Sequence, residues 1–497
     1  AAYNHQDLPF ELLVKHLQPT RSLARHPLFQ IALSRADRLP PATPLPGLEC
    51  APVATPLRIV KFDLEITVAD EPIDGELGIG ISYARDLFAH RTVEVLGQRL
   101  RNVLHQVATD SETTISRIDV MTGQERIDLL GGFGGSGTPV TESRTVLDVF
   151  DEQVERAPGR IAITDGTVSL TYVELRDRAD RLARTLVAAG VSTETLVPML
   201  MQRSVDLVVG ILAVLRAGGG YVPIHTAYPP VRMKRVAEET NSPVVLVDDA
   251  FEQHEVTNAL VAGGRTALRC EADHAAEDEP LPTVLPDQIC YVMYTSGSTG
   301  EPKGIQITHG GVVDLACDPS WGMQPEDRVL LHSPHAFDAS TWELWGPLLA
   351  GGRVVVAPAR EIDGAFLKDL VHATGVNRLS LTAGLFRVIA DDSIEAFAEL
   401  DEITTGGDVI SADAVNNTLR HCPDIVVRTT YGPTEATLCV TQYPWHGTER
   451  AGTSVPLGRP MGGTRLFVLD EFLQPVPVGV PGELYIAGSG LARGYLG

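Results

Sequence analysis

A chain of 497 residues exceeds what one hydrophobic core organises, so roughly three or four structural units are expected. With 44% hydrophobic and 21% charged residues it is globular rather than disordered. Its formal charge of −24 excludes a broadly basic nucleic-acid or anionic-membrane face, while leaving room for a local phosphate loop. Along the chain, 1–120 mixes short apolar runs with polar turns, and 87–107 has a helical pattern. At 131–139 the texture becomes glycine-rich. A formal G-x-G-x-x-G occurs there, at Gly132, Gly134 and Gly137. It follows the helix-like run 124–130 and leads into Pro139, so a linker is the reading; a dinucleotide loop must follow a strand and open a helix.

An α/β rhythm starts after the linker. Thr145 precedes an amphipathic helix carrying Leu147, Phe150 and Val154. The segments 161–164 and 168–170 form a hairpin around Asp165-Gly166. Thr171 and Glu174 make a capping box for a helix with Leu175, Ala179, Leu182 and Leu186 on one face, ended by Gly190. Strands are expected at 196–201, 221–224 and 244–247, with a helix over 204–216. Strands alternating with helices imply parallel sheets covered on both faces. The segments 465–470 and 483–487 suggest a small β-rich unit. The six cysteines, at 50, 270, 290, 317, 422 and 439, lack C-x-x-C or metal-ligand spacing and suit a reducing compartment. No run reaches the ~18 apolar residues of a membrane span, and the polar start has no signal-peptide pattern. A cytoplasmic protein is therefore expected.

The most informative segment is Tyr294-Thr295-Ser296-Gly297-Ser298-Thr299-Gly300-Glu301-Pro302-Lys303-Gly304, behind the apolar run 291–293. Glycines allow backbone N–H groups to approach phosphate oxygens, hydroxyls add donors, and Lys303 adds a cation. A surface turn rarely concentrates so many phosphate-compatible residues behind an apolar strand. The P-loop G-x-x-x-x-G-K-[ST] does not fit. Glu301-Pro302 separate Gly300 from Lys303, Gly304 stands where Ser or Thr is needed, and Pro302 opposes helix entry.

The segment 294–304 resembles the signature loop of the adenylate-forming superfamily, which includes acyl-CoA synthetases, luciferases and nonribosomal peptide synthetase adenylation domains. Four further segments resemble the last group. The run 215–224 is similar to LKAGGAYVPI, with His225 where Asp is usual. Phe337-Asp338-Ala339-Ser340-Thr341-Trp342-Glu343 is similar to FDxSxxE. Thr430-Tyr431-Gly432-Pro433-Thr434-Glu435 is similar to NxYGPTE, and 482–497 to GELxIxGxGxARGYLG. At the front, His5-Gln6-Asp7-Leu8-Pro9-Phe10-Glu11 and Arg25-His26-Pro27-Leu28-Phe29-Gln30 resemble the last motifs of a condensation domain. The catalytic HHxxxDG of such domains is absent, so this part cannot form peptide bonds alone.

The resemblance implies an α+β end of a condensation C-lobe over 1–122, a Gly-rich linker over 123–143 and an adenylation core over 144–497. The core is expected to be of the adenylate-forming type: two α/β subdomains with parallel-rich sheets plus a small distorted β-barrel. It implies ATP and Mg²⁺ as cofactors. Thr295, Ser296, Gly297, Ser298, Thr299, Gly300 and Lys303 would hold the β- and γ-phosphates. Gly406, Gly407 and Asp408 would border the adenine edge, and Thr430, Tyr431 and Gly432 its face. Thr434 would touch the α-phosphate and Glu435 would hold Mg²⁺. Thr295, Lys303, Thr434 and Glu435 are the expected catalytic set. Asp338 would pair the substrate ammonium. Ala339, Trp342, Ser380, Thr404, Gly406, Thr430, Leu438 and Cys439 would complete the selectivity pocket. One Trp wall, small neighbours and no counter-charge suit a bulky apolar or aromatic amino acid, and the hydroxyls could accept a hydroxylated one.

The implied reaction is amino-acid adenylation with release of pyrophosphate, in antibiotic-type secondary metabolism. Loading onto the phosphopantetheine thiol of a carrier domain follows, beside a condensation domain and with room for an MbtH-like partner. The ribose-binding YxTGD motif and the small C-terminal subdomain with its lysine normally follow GYLG. A sequence stopping at Gly497 is expected to run at reduced rate. The alternatives are an acyl- or aryl-CoA ligase, against which Asp338 and the condensation-like front argue, and a non-catalytic docking platform.

Overall fold

A computed structural model describes residues 7–19, 26–35, 59–69, 77–135, 143–270, 280–296 and 302–497. The chain divides into two compact units, Ala1–Arg126 with Val476–Val480, and Ile127–Pro475 with Pro481–Gly497. In the first, strands Ile31–Arg35 and Leu64–Val68 pair in parallel, and Leu64–Val68 pairs antiparallel with Ile79–Tyr83. The helix His90–Thr109 covers the expected 87–107 segment. Its Asn102 amide donates to the carbonyls of Asp119 and Met121 at 2.8 Å, and Arg99 pairs with Glu125 at 2.7 Å. The motif residues His5, Gln6 and Arg25 lie outside the described residues.

The second unit holds two parallel-rich sheets. The larger runs edge to edge through Arg459–Pro460, Thr441–Trp445, Val426–Tyr431, Glu402–Gly406, Arg378–Thr382, Arg328–Leu331, Arg353–Val356, Ile161–Thr164 and Ser169–Thr171. The other runs through Gly494–Tyr495, Pro302–Thr308, Ile289–Ser296, Gly220–Pro223, Leu196–Leu200, Val244–Val247 and Thr266–Arg269. Local signals explain the elements. Thr145 caps the helix Val146–Arg156 in a box with Asp148, and Thr171 caps Tyr172–Ala188 in a box with Glu174. The helix Val205–Arg216 is apolar on nearly every side and buried almost throughout, packed on the helix Tyr172–Ala188 and the strand Gly220–Pro223. The helix Ala339–Ala350 is buried in the same way. It reaches the second sheet through Thr341, whose hydroxyl donates to the Tyr291 hydroxyl at 3.2 Å, and Trp345, whose indole meets Tyr221 at 3.4 Å.

One expectation changes. The segment read as linker is α-helical over Gly123–Asp128 and continues as a π turn over Leu129–Phe133. Gly134 accepts the Leu466 amide at 2.7 Å, and Gly135, at φ +83°, sits where a Cβ would come within 2.3 Å of the Thr464 carbonyl. These two glycines thus serve close packing against a strand. Residues 136–142 lie outside the described residues. The expected β-rich tail holds an antiparallel pair, Thr464–Leu469 with Glu483–Gly488.

Candidate active site

The strand Ile289–Ser296 turns back into Pro302–Thr308 as an antiparallel hairpin, with Thr295 opposite Lys303 and Tyr294 opposite Gly304. A strand follows Pro302, whereas a P-loop lysine opens a helix, so the rejection of a P-loop holds. Thr295 and Lys303 are therefore neighbours at the end of the hairpin nearest the connecting segment. The Ser296 side chain and Gly297, Ser298, Thr299 and Gly300 lie outside the described residues. The Lys303 ammonium lies 5.1 Å from the centre of the Tyr495 ring. Among the described residues no carboxylate pairs with it.

Asp338 immediately precedes the helix Ala339–Ala350 but makes no side-chain cap bond to it. Its carboxylate instead accepts the Thr434 hydroxyl at 2.5 Å, joining two segments 96 residues apart. Burial pushes the Asp338 carboxyl above its ordinary range, the Thr434 hydroxyl and the Ala339 amide oppose this, and the Glu435 charge adds to it. One helical turn on, Trp342 is buried against Trp321, with ring centres 5.3 Å apart. Cys439 and Met461 complete this cluster, with sulfurs 3.5 Å apart. Leu438 packs against it.

On the large sheet Ser380 is the register partner of Thr404, and Thr382 of Gly406. The Thr430 hydroxyl donates to the Thr405 carbonyl at 3.3 Å. A Cβ on Gly406 would lie 2.6 Å from the Thr430 carbonyl and hydroxyl. Gly407 has φ +82°, and Asp408 is exposed, its carboxylate taking the Val409 amide. Tyr431 ends its strand with 37% of its surface exposed. The chain then turns through Thr437 at φ +54° and Leu438 at φ +78°. A Cβ on Gly432 would stand 2.4 Å from Cys439 Cα. Gly432→Ala must move backbone, and we expect a loss of more than about 3 kcal/mol, checked by urea unfolding.

Three functional features escaped sequence reasoning. Glu343, fully buried, accepts the His332 and Ser333 amides at 2.9 Å each and the Ser333 hydroxyl at 2.7 Å. The His332 ring in turn meets the Ser380 carbonyl, so one carboxylate fixes the strand end beside the pocket. Glu343→Ala leaves several buried donors unpaired, and a loss of about 3 kcal/mol or more is expected in the same unfolding assay. The second feature is an ionic chain. Arg378 pairs with Asp327 at 2.8 Å and with Glu402 at 3.3 Å, and Glu402 takes Arg428 at 2.7 Å. Arg378, Glu402 and Arg428 each precede an expected pocket position, Ser380, Thr404 and Thr430, by two residues, so they share its sheet face. That repeat was the available signal. Charges do lie near the expected pocket positions, but they neutralise one another. The third is Tyr495, whose hydroxyl donates to Glu435 at 2.8 Å.

The AMP-binding enzyme family model matches residues 150–496. The chain belongs to the AMP-binding enzyme family. A condensation domain model matches 1–130, and condensation followed by adenylation is the order found in nonribosomal peptide synthetases. AMP-binding enzymes of this kind are adenylate-forming ligases, and adenylate-forming enzymes use ATP. It is 34% identical to tyrocidine synthase 3 of Brevibacillus parabrevis, over all of this chain and 8% of that protein. With bacitracin synthase 2 of Bacillus licheniformis it is 32% identical, over all of this chain and 19% of that one. The chain thus spans less than a fifth of either relative. Among solved structures it resembles the nonribosomal peptide synthetase FmoA3 (S1046A) in its AMPPNP-bound form. The TM-score is 0.79 at 26% identity, over 99% of this chain and 53% of that one. The N-terminal subdomain of Klebsiella oxytoca NpsA, in complex with 3-hydroxybenzoyl-AMSN, gives 0.65 at 27% identity, over 71% and 88%. Among the described residues no helix is long and apolar enough to cross a membrane.

Proposed function

We propose that this AMP-binding enzyme activates an L-α-amino acid as its aminoacyl-adenylate, for transfer to the phosphopantetheine thiol of a carrier domain in peptide assembly. The observation that carries the reading is the 2.5 Å bond between Asp338 and Thr434. It sets a buried carboxylate, suited to an ammonium group, beside the turn that bears Thr434 and Glu435. The substrate carboxylate would then lie toward Thr434. A carboxylate oxygen attacks the α-phosphorus of ATP, the bond to the bridging oxygen breaks, and pyrophosphate leaves with those electrons. Lys303, Thr295 and the loop 296–300 would neutralise the departing phosphates, and Tyr431 would face the adenine. The residues present fit Mg²⁺. Glu435 offers a hard carboxylate with one oxygen uncommitted among the described residues, and no group of three metal-binding side chains competes for the ion there. Magnesium commonly binds through one carboxylate plus substrate phosphates. Bound there, it would supply charge neutralisation.

Trp342, Trp321, Cys439 and Met461 give the pocket an apolar, aromatic-lined wall, and Ser380, Thr404 and Gly406 keep the facing side small. This supports a bulky apolar or aromatic side chain, with hydroxylated forms accepted. The domain limits that follow are 1–122 for the condensation segment and 144–497 for the adenylation segment. A panel of amino, aryl and fatty acids in ATP–pyrophosphate exchange tests the proposal. Exchange with aromatic amino acids is the expected result. Exchange with aryl or fatty acids alone would overturn it, and failure to bind ATP would favour a docking role.

A further inference from the structure

The segment around Tyr495 meets both halves of the proposed ATP site. Its backbone joins the phosphate hairpin: the Leu496 amide donates to the Gly304 carbonyl at 2.7 Å, and the Arg493 amide to Gln306 at 2.9 Å. The Gln306 side chain returns a bond to the Tyr495 carbonyl at 2.9 Å. On the other side the Ala492 amide donates to the Glu435 carbonyl at 2.7 Å. Arg493 anchors the segment further through a two-pronged ion pair with Glu194. A two-residue strand, Gly494–Tyr495, is thus held on both flanks, and its one large side chain has a fixed origin.

From that origin the Tyr495 hydroxyl donates to one oxygen of Glu435 at 2.8 Å, and its ring lies beneath the Lys303 ammonium at 5.1 Å. Glu435 sits on a single 3-10 turn, Thr434–Ala436, followed by a left-handed residue, so little else orders its carboxylate. A neutral phenol donor fixes a carboxylate without cancelling its charge, which a lysine or arginine in the same place would do. We propose that Tyr495 is a positioning residue for the metal and phosphate site. Its hydroxyl commits one Glu435 oxygen and leaves the other for Mg²⁺, and its ring face holds Lys303 ready beside the hairpin. This rests on the adenylation reading above, which gives Glu435 and Lys303 their partners.

The test is calorimetric binding of AMPPNP to the intact chain across a Mg²⁺ titration, for the parent, Tyr495→Phe and Tyr495→Leu. Phe keeps the ring and removes only the hydroxyl. Half-saturating Mg²⁺ should rise about tenfold, the equivalent of one charge-assisted bond, while metal-free AMPPNP binding and thermal unfolding stay unchanged. Leu should also weaken metal-free binding, since the face under Lys303 is gone. In a Glu435→Gln background the Phe change should add nothing, which a general loosening of the fold would not reproduce. A Phe variant with the parent's Mg²⁺ half-saturation overturns the proposal. A parent chain that fails to bind Mg²⁺ and AMPPNP together overturns the adenylation reading, and this one with it.

Discussion

Asp338→Asn will cut amino-acid-dependent pyrophosphate exchange by two to three orders of magnitude, chiefly through KM for the amino acid. Removing one partner of a buried charge pair costs about 3–5 kcal/mol, because the other charge is left uncompensated. Asn keeps an oxygen for the Thr434 hydroxyl, so the 2.5 Å tether survives and ATP binding should change little. The pH dependence has a definite sign. Burial raises the Asp338 carboxyl, so the group binds its proton more tightly folded than unfolded. Ionised Asp338 therefore lowers stability above its unfolded pKa, and that cost is relieved as pH falls through the raised folded value. Substrate affinity runs the other way and is lost on the same descent, as the carboxylate protonates. The Asn variant should melt no lower than the parent at neutral pH and show a flat KM profile over that range. A parent-like KM for the amino acid would remove Asp338 from the substrate site.

The second large effect is on acid stability. His309 and His335 are buried, and burial pushes both imidazoles down to about 4. Among the described residues neither His309 ring nitrogen has a hydrogen-bond partner, nor does His335 Nε2. Both stay neutral in the folded chain, while their unfolded counterparts protonate from about pH 6.5 downward. A depressed histidine costs nothing above that value. Its penalty grows as pH falls to the folded pKa and is complete below it. The gap from 6.5 to about 4 is worth about 3 kcal/mol for each ring. Guanidinium unfolding at pH 7 and pH 4.5 should reveal most of this loss, and His309→Leu should flatten about half of it. A His309→Leu chain with the parent's pH slope would assign the acid sensitivity elsewhere.

The sequence carried its own local grammar well. Thr171 and Glu174 announced a helix start, Val244 to Val247 a strand, and Pro302 a barrier to helix entry, where a strand begins. Each depends on residues within one or two turns of chain. What stayed hidden needs contacts across the fold. Nothing near residue 338 says that its carboxylate meets Thr434, and nothing near 435 says that Tyr495 reaches it. Gly134 and Gly135 look like flexible composition until the strand Thr464–Leu469 is laid against them. Arg378, Glu402 and Arg428 look like solvent-facing charges. Only the parallel register, which sets Arg378 beside Glu402 and brings Arg428 within an ion pair of it, makes them a self-neutralising buried chain.

With the proposed amino-acid pocket, the left-handed turn at Thr437 and Leu438 bears on how selectivity could be rewritten. At φ +78°, a side chain with a Cβ is strained by about 1–2 kcal/mol, and a β-branched one by more. Leu438 packs on the Trp321–Trp342 cluster, so its size helps set how much room remains beside it. Mutational drift at this position is therefore lopsided. A change to glycine releases strain while opening space, whereas a change to valine or isoleucine adds strain for a modest change in volume. Along this edge a broader substrate range is the easier path, and a new narrow preference is more readily built at Ser380 or Thr404, where the backbone is ordinary strand.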